Sequence, residues 1–427
     1  MIPGLATQLA PPFRLVVTHF IAGLLLLPLV WALLLVDPSP LTGGLFGNRL
    51  LAVVHVTALG FIAPIVIGAL YQIVPVVLGV RLTSVTAGWA ALALVLAGLA
   101  GMAAHFWMGR FSPGLAIAST LAATGLFLAA SNLIASLRFV QSWSFGGVLI
   151  AVSLLFLLSA AGLGLALALN LVFPYFSSDH ISWLKVHAHL ALVGWLGSVV
   201  MGATHKLIPM FTLGPEPPAK TSAGAAALVF GGLFLLFATW RGIAPPAFGS
   251  IGAVALIAGA GTYSALLVRS FAKRARKEID TGLRHVLAAG AALLAACFLA
   301  LAAVFPDFLG PLWVVRLSLA YGFLLFGTVV VLIIGMLYKI LPFLVWYHRY
   351  ADRVGLEPVP TTRDIFSEGT ARLLFPGHIT GGLVVLFGIL AGEPILLRAG
   401  ALVLLVVNAG TARLLIGTIA RRDDGDG

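Results

Sequence analysis

The sequence lacks most of what a soluble enzyme relies on. It has a single cysteine, Cys297, which excludes disulfides within the chain and cysteine-based metal motifs. Only 9% of its 427 residues are charged and 61% are hydrophobic, so a bilayer is the predicted solvent for most of the chain. None of the fourteen Asp and Glu residues falls in a predicted span. Since proton pumps and ion-driven symporters use intramembrane carboxylates, this absence argues against both classes.

Twelve apolar runs are long enough to cross a bilayer. They are too long and too unalternating for the strands of a membrane barrel, so we predict an all-α membrane protein with twelve transmembrane helices. The runs lie at roughly 13–36, 50–78, 85–108, 113–137, 146–173, 184–211, 222–240, 247–270, 283–305, 313–346, 374–392 and 396–419.

One helical pattern occurs three times. It begins at His55, His189 and Gly322, and in each copy glycines follow 5 and 13 residues later and a proline 20 residues later. The copies lie 134 and 133 residues apart, and a fixed period indicates a repeated architecture. We therefore predict a single membrane domain, residues 1–427, built from three pseudo-repeated four-helix arcs. The arcs cover roughly 10–140, 141–278 and 279–420.

Basic residues cluster in alternate connections between the spans. The segment 269–284 contains six Lys and Arg residues and the segment 349–372 contains four, whereas the opposite connections hold few. The positive-inside rule then places both termini in the cytoplasm, and we expect a bacterial inner membrane. The net charge of +11 is thus a topology signal. It predicts the lipid bilayer as a partner and no nucleic acid.

Histidines are almost the only ionisable side chains at membrane depth. His55 and His189 occupy equivalent positions in two repeats, near the outer ends of their helices. Neutral imidazole is the commonest protein ligand of transition metals and haem iron, so this pair is our main cofactor or metal candidate. His187 is an alternative ligand; its i, i+2 spacing from His189 predicts that the two side chains point to different helix faces.

Three further histidines lie in first turns of helices that enter from the cytoplasm: His19, His285 and His378. We regard them as weaker metal candidates. The structural alternative applies to all six histidines, because a buried imidazole also satisfies itself by bonding a neighbouring carbonyl.

At these residues the chain resembles the haem–copper oxidase subunit I superfamily, and more closely the oxidase-subunit-I-like and NnrS-type twelve-helix membrane proteins. The resemblance is sharp in 55–75, 187–209 and 338–348. It implies that His55 corresponds to the ligand of a low-spin b-type haem, and that His187 or His189 corresponds to a histidine near copper.

The chain also departs from that family. Oxidases carry two haem ligands on helix ten and two adjacent copper ligands on helix seven, but spans 313–346 and 222–240 contain no histidine. The resemblance therefore implies a degenerate member, without a complete oxygen-reducing centre and without proton pumping.

Three functions stay open. The leading one is haem or haem/copper binding, for electron transfer with a membrane or periplasmic redox partner or for binding a diatomic such as nitric oxide. If the protein is an enzyme, it is an oxidoreductase. A second is a transporter or assembly factor that passes copper or another small solute along a path from His187 through Ser198 and Met201 to His205. A third is a structural subunit of a respiratory complex.

Overall fold

The computed structural model describes residues 7–45, 47–176, 180–302 and 310–421, and within these ranges it contains helices and no β-strand. Twelve helices are long and apolar enough to span a membrane, which confirms the predicted fold class. They are α1 (Phe13–Val36), α2 (Asn48–Leu78), α3 (Val85–Met108), α4 (Pro113–Leu137), α5 (Phe145–Val172), α6 (His180–Thr212), α7 (Ala219–Trp240), α8 (Pro246–Ala272), α9 (Thr281–Ala302), α10 (Pro311–Tyr350), α11 (Glu368–Ala391) and α12 (Pro394–Ala420). The last part of the predicted ninth span, 303–305, lies outside the described residues.

Three helix bounds differ from the prediction by four residues or more. Helix α6 begins at His180 rather than at 184, α10 continues to Tyr350 rather than ending at 346, and α11 begins at Glu368 rather than at 374. The early start of α11 has a local cause, because the Ser367 side chain accepts a hydrogen bond from the backbone N–H of Thr370 and so caps the helix. Glu368 is therefore an exception to the prediction that every carboxylate lies outside the spans.

The contacts divide the chain into two compact units. The terminal unit comprises Pro12–Ala69, Ile279–Leu293 and Val315–Gly427; the middle unit comprises Leu70–Glu278 and Leu294–Val314, together with Met1–Pro11. Helices α2, α9 and α10 each contribute to both units. The division does not follow the three predicted arcs, which stay a prediction.

The second glycine of each repeat copy lies against an earlier helix of its own unit. A Cβ atom at any of these glycines would come within 2.6–2.9 Å of that helix. The contacts are Gly68 with His19, Gly202 with Gly146 and Gly335 with Gly282. Small residues allow close helix approach in lipid, so the repeated glycines have a common packing role.

Candidate functional site

The two histidines that open a repeat copy are each followed directly by π-helix. In the terminal unit the α-helical part of α2 ends at His55 and a π segment covers Val56–Ile62. In the middle unit a second π segment, Leu190–Leu196, follows His189. The third copy begins at Gly322 within α10, which is assigned as regular α-helix. Because π segments inside α-helices occur frequently at functional sites, these two positions are the first candidates.

The backbone determines which nitrogen of each ring carries hydrogen. Nδ1 of His55 lies 2.7 Å from the carbonyl oxygen of Leu51, and Nδ1 of His189 lies 2.9 Å from that of Lys185. A carbonyl only accepts, so Nδ1 donates and Nε2 of the neutral ring carries the lone pair. Metal-ligating histidines are commonly oriented by such a bond. The same bond within one helix is made by His19, His105 and His285.

His187 and His189 contact different helices, as their spacing predicts. Nδ1 of His187 donates to the carbonyl oxygen of Ala160 on α5 at 3.0 Å, and its ring occupies the space that a side chain at Gly164 would fill. The ring of His189 instead packs edge-on against Trp240 of α7, with centroids 4.8 Å apart. His187 thus has a packing role of its own, and His189, which directly precedes the π segment, is the better ligand candidate of the two.

The start of α2, which carries His55, is held by a small polar cluster. Arg49 forms an ion pair with Asp37, and Asp37 also accepts hydrogen bonds from the backbone and side chain of Ser39 at 2.9 and 2.8 Å. Partial burial raises the pKa of Asp37, but the hydrogen bonds from Ser39 and Arg49 outweigh it and hold the pKa below its usual value.

Within the described residues no group of three or more His, Cys, Asp or Glu side chains is arranged to hold a metal ion. His55 belongs to the terminal unit, and His187 and His189 belong to the middle unit. A metal at these histidines therefore requires donors that other residue types or a cofactor supply. The four pyrrole nitrogens of a haem are such donors, and a haem needs only one or two imidazoles from the protein.

Of the three histidines predicted near the cytoplasmic ends, the structure brings two together. Nε2 of His285 on α9 lies 3.5 Å from Nδ1 of His378 on α11, and the two residues are only 0% and 4% exposed. His19 lies elsewhere on α1, where its Nδ1 donates to the carbonyl oxygen of Leu15 and its Cβ packs over Gly68.

Two hydroxyl groups extend the histidine pair. Oγ1 of Thr411 on α12 lies 3.3 Å from Nε2 of His378 and 3.1 Å from the hydroxyl of Tyr338 on α10. The Tyr338 ring also contacts His285 edge-on, with centroids 5.3 Å apart. Thr411 was not predicted as a site residue, although a polar residue within an apolar span often indicates a functional position.

Carboxylates cap the start of α9, one turn before His285. Oε1 of Glu368 accepts hydrogen bonds from the backbone N–H and the hydroxyl of Thr281 at 2.7 and 2.6 Å. Asp280 accepts from the backbone N–H of Leu283 at 3.1 Å and forms an ion pair with Lys339. Both carboxylates lie where the positive end of the helix dipole stabilises negative charge.

The predicted copper path through α6 gains two hydroxyl groups beside Met201. Tyr263 donates to the backbone carbonyl of Met201 at 2.6 Å, and its hydroxyl lies 3.1 Å from Oγ1 of Thr204. The hydroxyl of Ser198 donates to the backbone carbonyl of Gly194 at 2.5 Å, and the ring of His205 packs against Phe145 with centroids 4.7 Å apart. Nδ1 of His205 has no hydrogen bond to a described residue, and the copper path stays a prediction.

No family model matches the chain, and no curated protein matches it. The likeness to haem–copper oxidase subunit I therefore rests on the histidine motifs and the twelve-helix pattern.

Proposed function

We propose that this chain is a degenerate relative of oxidase subunit I that binds b-type haem through His55 and/or His189. Its role is electron transfer or the binding of a diatomic such as nitric oxide, without proton pumping. Haem supplies an iron that changes oxidation state or takes a gas as ligand. The protein supplies the imidazoles, their orientation and an apolar surrounding. His187 is kept as an alternative ligand.

One observation carries the proposal. The π-helical segment recurs after both repeat-equivalent histidines, Val56–Ile62 after His55 and Leu190–Leu196 after His189. A π segment costs helix stability, so its occurrence at two equivalent places favours a shared functional reason. The donated Nδ1–H of each ring further favours ligation through Nε2.

The number of ligands decides the role. Two imidazoles on one iron produce a low-spin electron carrier, whereas one imidazole leaves a position for a gas. In either case we propose a location in the bacterial inner membrane with both termini cytoplasmic and a redox partner in the membrane or the periplasm. The basic segments 269–284 and 349–372 support that orientation.

We expect the detergent-purified protein to show a Soret band that is weakened or lost in His55→Ala, in His189→Ala or in both, because the substitution removes an imidazole that would hold the haem. The measurement is the absorption spectrum together with haem, iron and copper analysis per chain. Loss of the band in only one variant would identify a single axial ligand and hence the gas-binding form.

His105→Ala is the matched control. His105 makes the same bond, Nδ1 to the carbonyl oxygen of Gly101 at 2.8 Å, but α3 contains no π segment. Its Soret band should equal that of the wild type. A wild type without haem, or a band unchanged in both test variants, would refute the proposal. Copper in place of haem, lost with His187 or His189, would favour the copper-handling alternative, and neither cofactor would leave the structural subunit.

A further inference from the structure

The buried pair of His285 and His378 in the terminal unit has no part in the function proposed above. The pair lies among α9, α10, α11 and α12. Thr411 forms a hydrogen bond with His378, and Tyr338 forms one with Thr411. Two fully enclosed imidazoles at membrane depth are costly unless a partner compensates them.

The backbone orients the first ring of the pair. Nδ1 of His285 lies 2.8 Å from the carbonyl oxygen of Thr281 and donates to it, so Nε2 of the neutral ring directs its lone pair at His378. The hydroxyls of Thr411 and Tyr338 both donate and accept. Either nitrogen of His378 can carry its hydrogen; in the tautomer whose Nε2–H donates to Thr411, Nδ1 of His378 directs a second lone pair at His285. The backbone carbonyl of Leu374 also adjoins this ring as a hydrogen-bond acceptor.

The separation of the two nitrogens suits a metal ion better than a hydrogen bond. At 3.5 Å it exceeds the usual hydrogen-bond length, which is about 2.7–3.2 Å. Two metal–nitrogen bonds of about 2.0 Å that enclose an angle of about 120° place their nitrogens about 3.5 Å apart. In the tautomer with Nε2–H on His378, two lone pairs face each other at this distance and repel, and a cation between them removes the repulsion.

A third donor lies beside the pair. Asn408 on α12 is 3% exposed and adjoins His378. Its Nδ2 donates to the carbonyl oxygen of Leu404 at 2.7 Å, but its buried Oδ1 has no hydrogen bond of ordinary geometry to any described residue. The Asn408 side chain lies within hydrogen-bonding reach of His378, and a cation at the histidine pair is a further partner for its Oδ1.

The surrounding charge favours a cation of low charge. Glu368 and Asp280 lie at the start of α9, and Lys339 pairs with Asp280, so this group carries one net negative charge. This negative charge balances a monovalent cation. A divalent cation would leave one uncompensated positive charge in a poorly polarisable surrounding. Imidazole suits zinc, copper, iron and nickel, and of these metals copper has a stable monovalent state.

We propose that Nε2 of His285 and Nδ1 of His378, with Oδ1 of Asn408 beside them, bind one copper ion in the cuprous state. This site differs from the π-helical histidines in its residues, and it does not depend on haem binding. Its ring orientation comes from Thr281, and its charge balance comes from Glu368 and the Asp280–Lys339 pair.

The test supplies copper with ascorbate, without oxygen, to the full-length purified protein. Copper per chain is measured after gel filtration. We expect it to fall by one ion in His285→Phe and in His378→Phe, with any Soret band unchanged. His105→Gln is the control; it replaces a half-buried histidine of the middle unit that has no part in either copper route and should keep the wild-type copper content. Copper content equal in all four proteins, or a wild type that binds no copper, would overturn the proposal.

A measurement on the wild type covers the case that the phenylalanine variants do not fold. X-ray absorption of the copper-loaded protein should show two or three nitrogen or oxygen neighbours, with the outer-shell scattering of imidazole. A shell with more than four neighbours, or without imidazole, would contradict this site. Failure of the haem proposal would instead appear as a missing Soret band with the copper unaffected, so the two failures are distinguishable.

Discussion

Replacing Lys339 by methionine is expected to lower the free energy of unfolding by about 2–3 kcal/mol, because it removes the charge that compensates a largely buried carboxylate. The side chains of Lys339 and Asp280 are 14% and 17% exposed. Methionine retains the apolar stem of lysine, so the loss is mainly electrostatic. Since Asp280 also accepts the backbone N–H of Leu283, disturbance of its position weakens the start of α9 as well.

The repeat supplies a matched control in Lys206, which occupies the same position in the second copy. Lys206 pairs with Glu216 at 2.5 Å, but their side chains are 56% and 53% exposed. An exposed pair contributes only about 0–1 kcal/mol, so Lys206→Met should be close to neutral. The measurement is the free energy of unfolding of both variants in the same detergent and salt. Equal losses would show that burial does not govern the pair.

The two lysines were predictable as equivalent positions, but their ion-pair partners were not. The fixed period makes Lys206 and Lys339 equivalent positions. The environment of each lysine, however, depends on where its acidic partner lies. Glu216 follows ten residues later in a connection, whereas Asp280 precedes α9 and is 59 residues away in sequence. A local pattern does not report a contact at that separation.

The twelve spans were predictable because hydropathy is a one-dimensional signal and a helix is the structure that satisfies its own backbone in lipid. The π segments after His55 and His189 were not predicted. A π segment accommodates its extra residue without a break in the apolar run, so composition does not reveal it. The first residue of each repeat copy nevertheless correlates with the π segments. The two copies that begin with histidine contain one, and the copy that begins with Gly322 does not.

The contact of His285 with His378 was predicted only in part. The sequence placed both at the cytoplasmic ends of their helices, which implies a similar depth. It did not pair them, because 93 residues separate them and the order of helices around a bundle is not written in local patterns. Asn408 and Thr411 lie three residues apart on one helix face. That spacing of polar residues could have predicted a polar site on α12.

Gly335→Ala is expected to destabilise the protein by about 1–3 kcal/mol, toward the upper end of what overpacking costs. An added Cβ would lie 2.6 Å from the carbonyl oxygen of Gly282 and 2.7 Å from Cβ of His285. Neither atom is the end of a flexible side chain, so relief requires α9 and α10 to separate. Gly327→Ala, two turns earlier on α10, meets no atom within 4 Å. It should be neutral or stabilise by up to about 1 kcal/mol, since alanine favours helix over glycine.

Because the chain has one cysteine, thermal unfolding is measurable through the reaction of Cys297 in α9 with a thiol-specific dye. The midpoint should fall for Gly335→Ala and stay or rise for Gly327→Ala. The same separation of α9 from α10 displaces His285, so Gly335→Ala should also weaken copper binding, while Gly327→Ala leaves it intact. A midpoint that rises in both variants would mean that the two helices are not in close contact at Gly335. The repeated glycine would then lose its packing role, and the ring of His285 would no longer be held in place by α10.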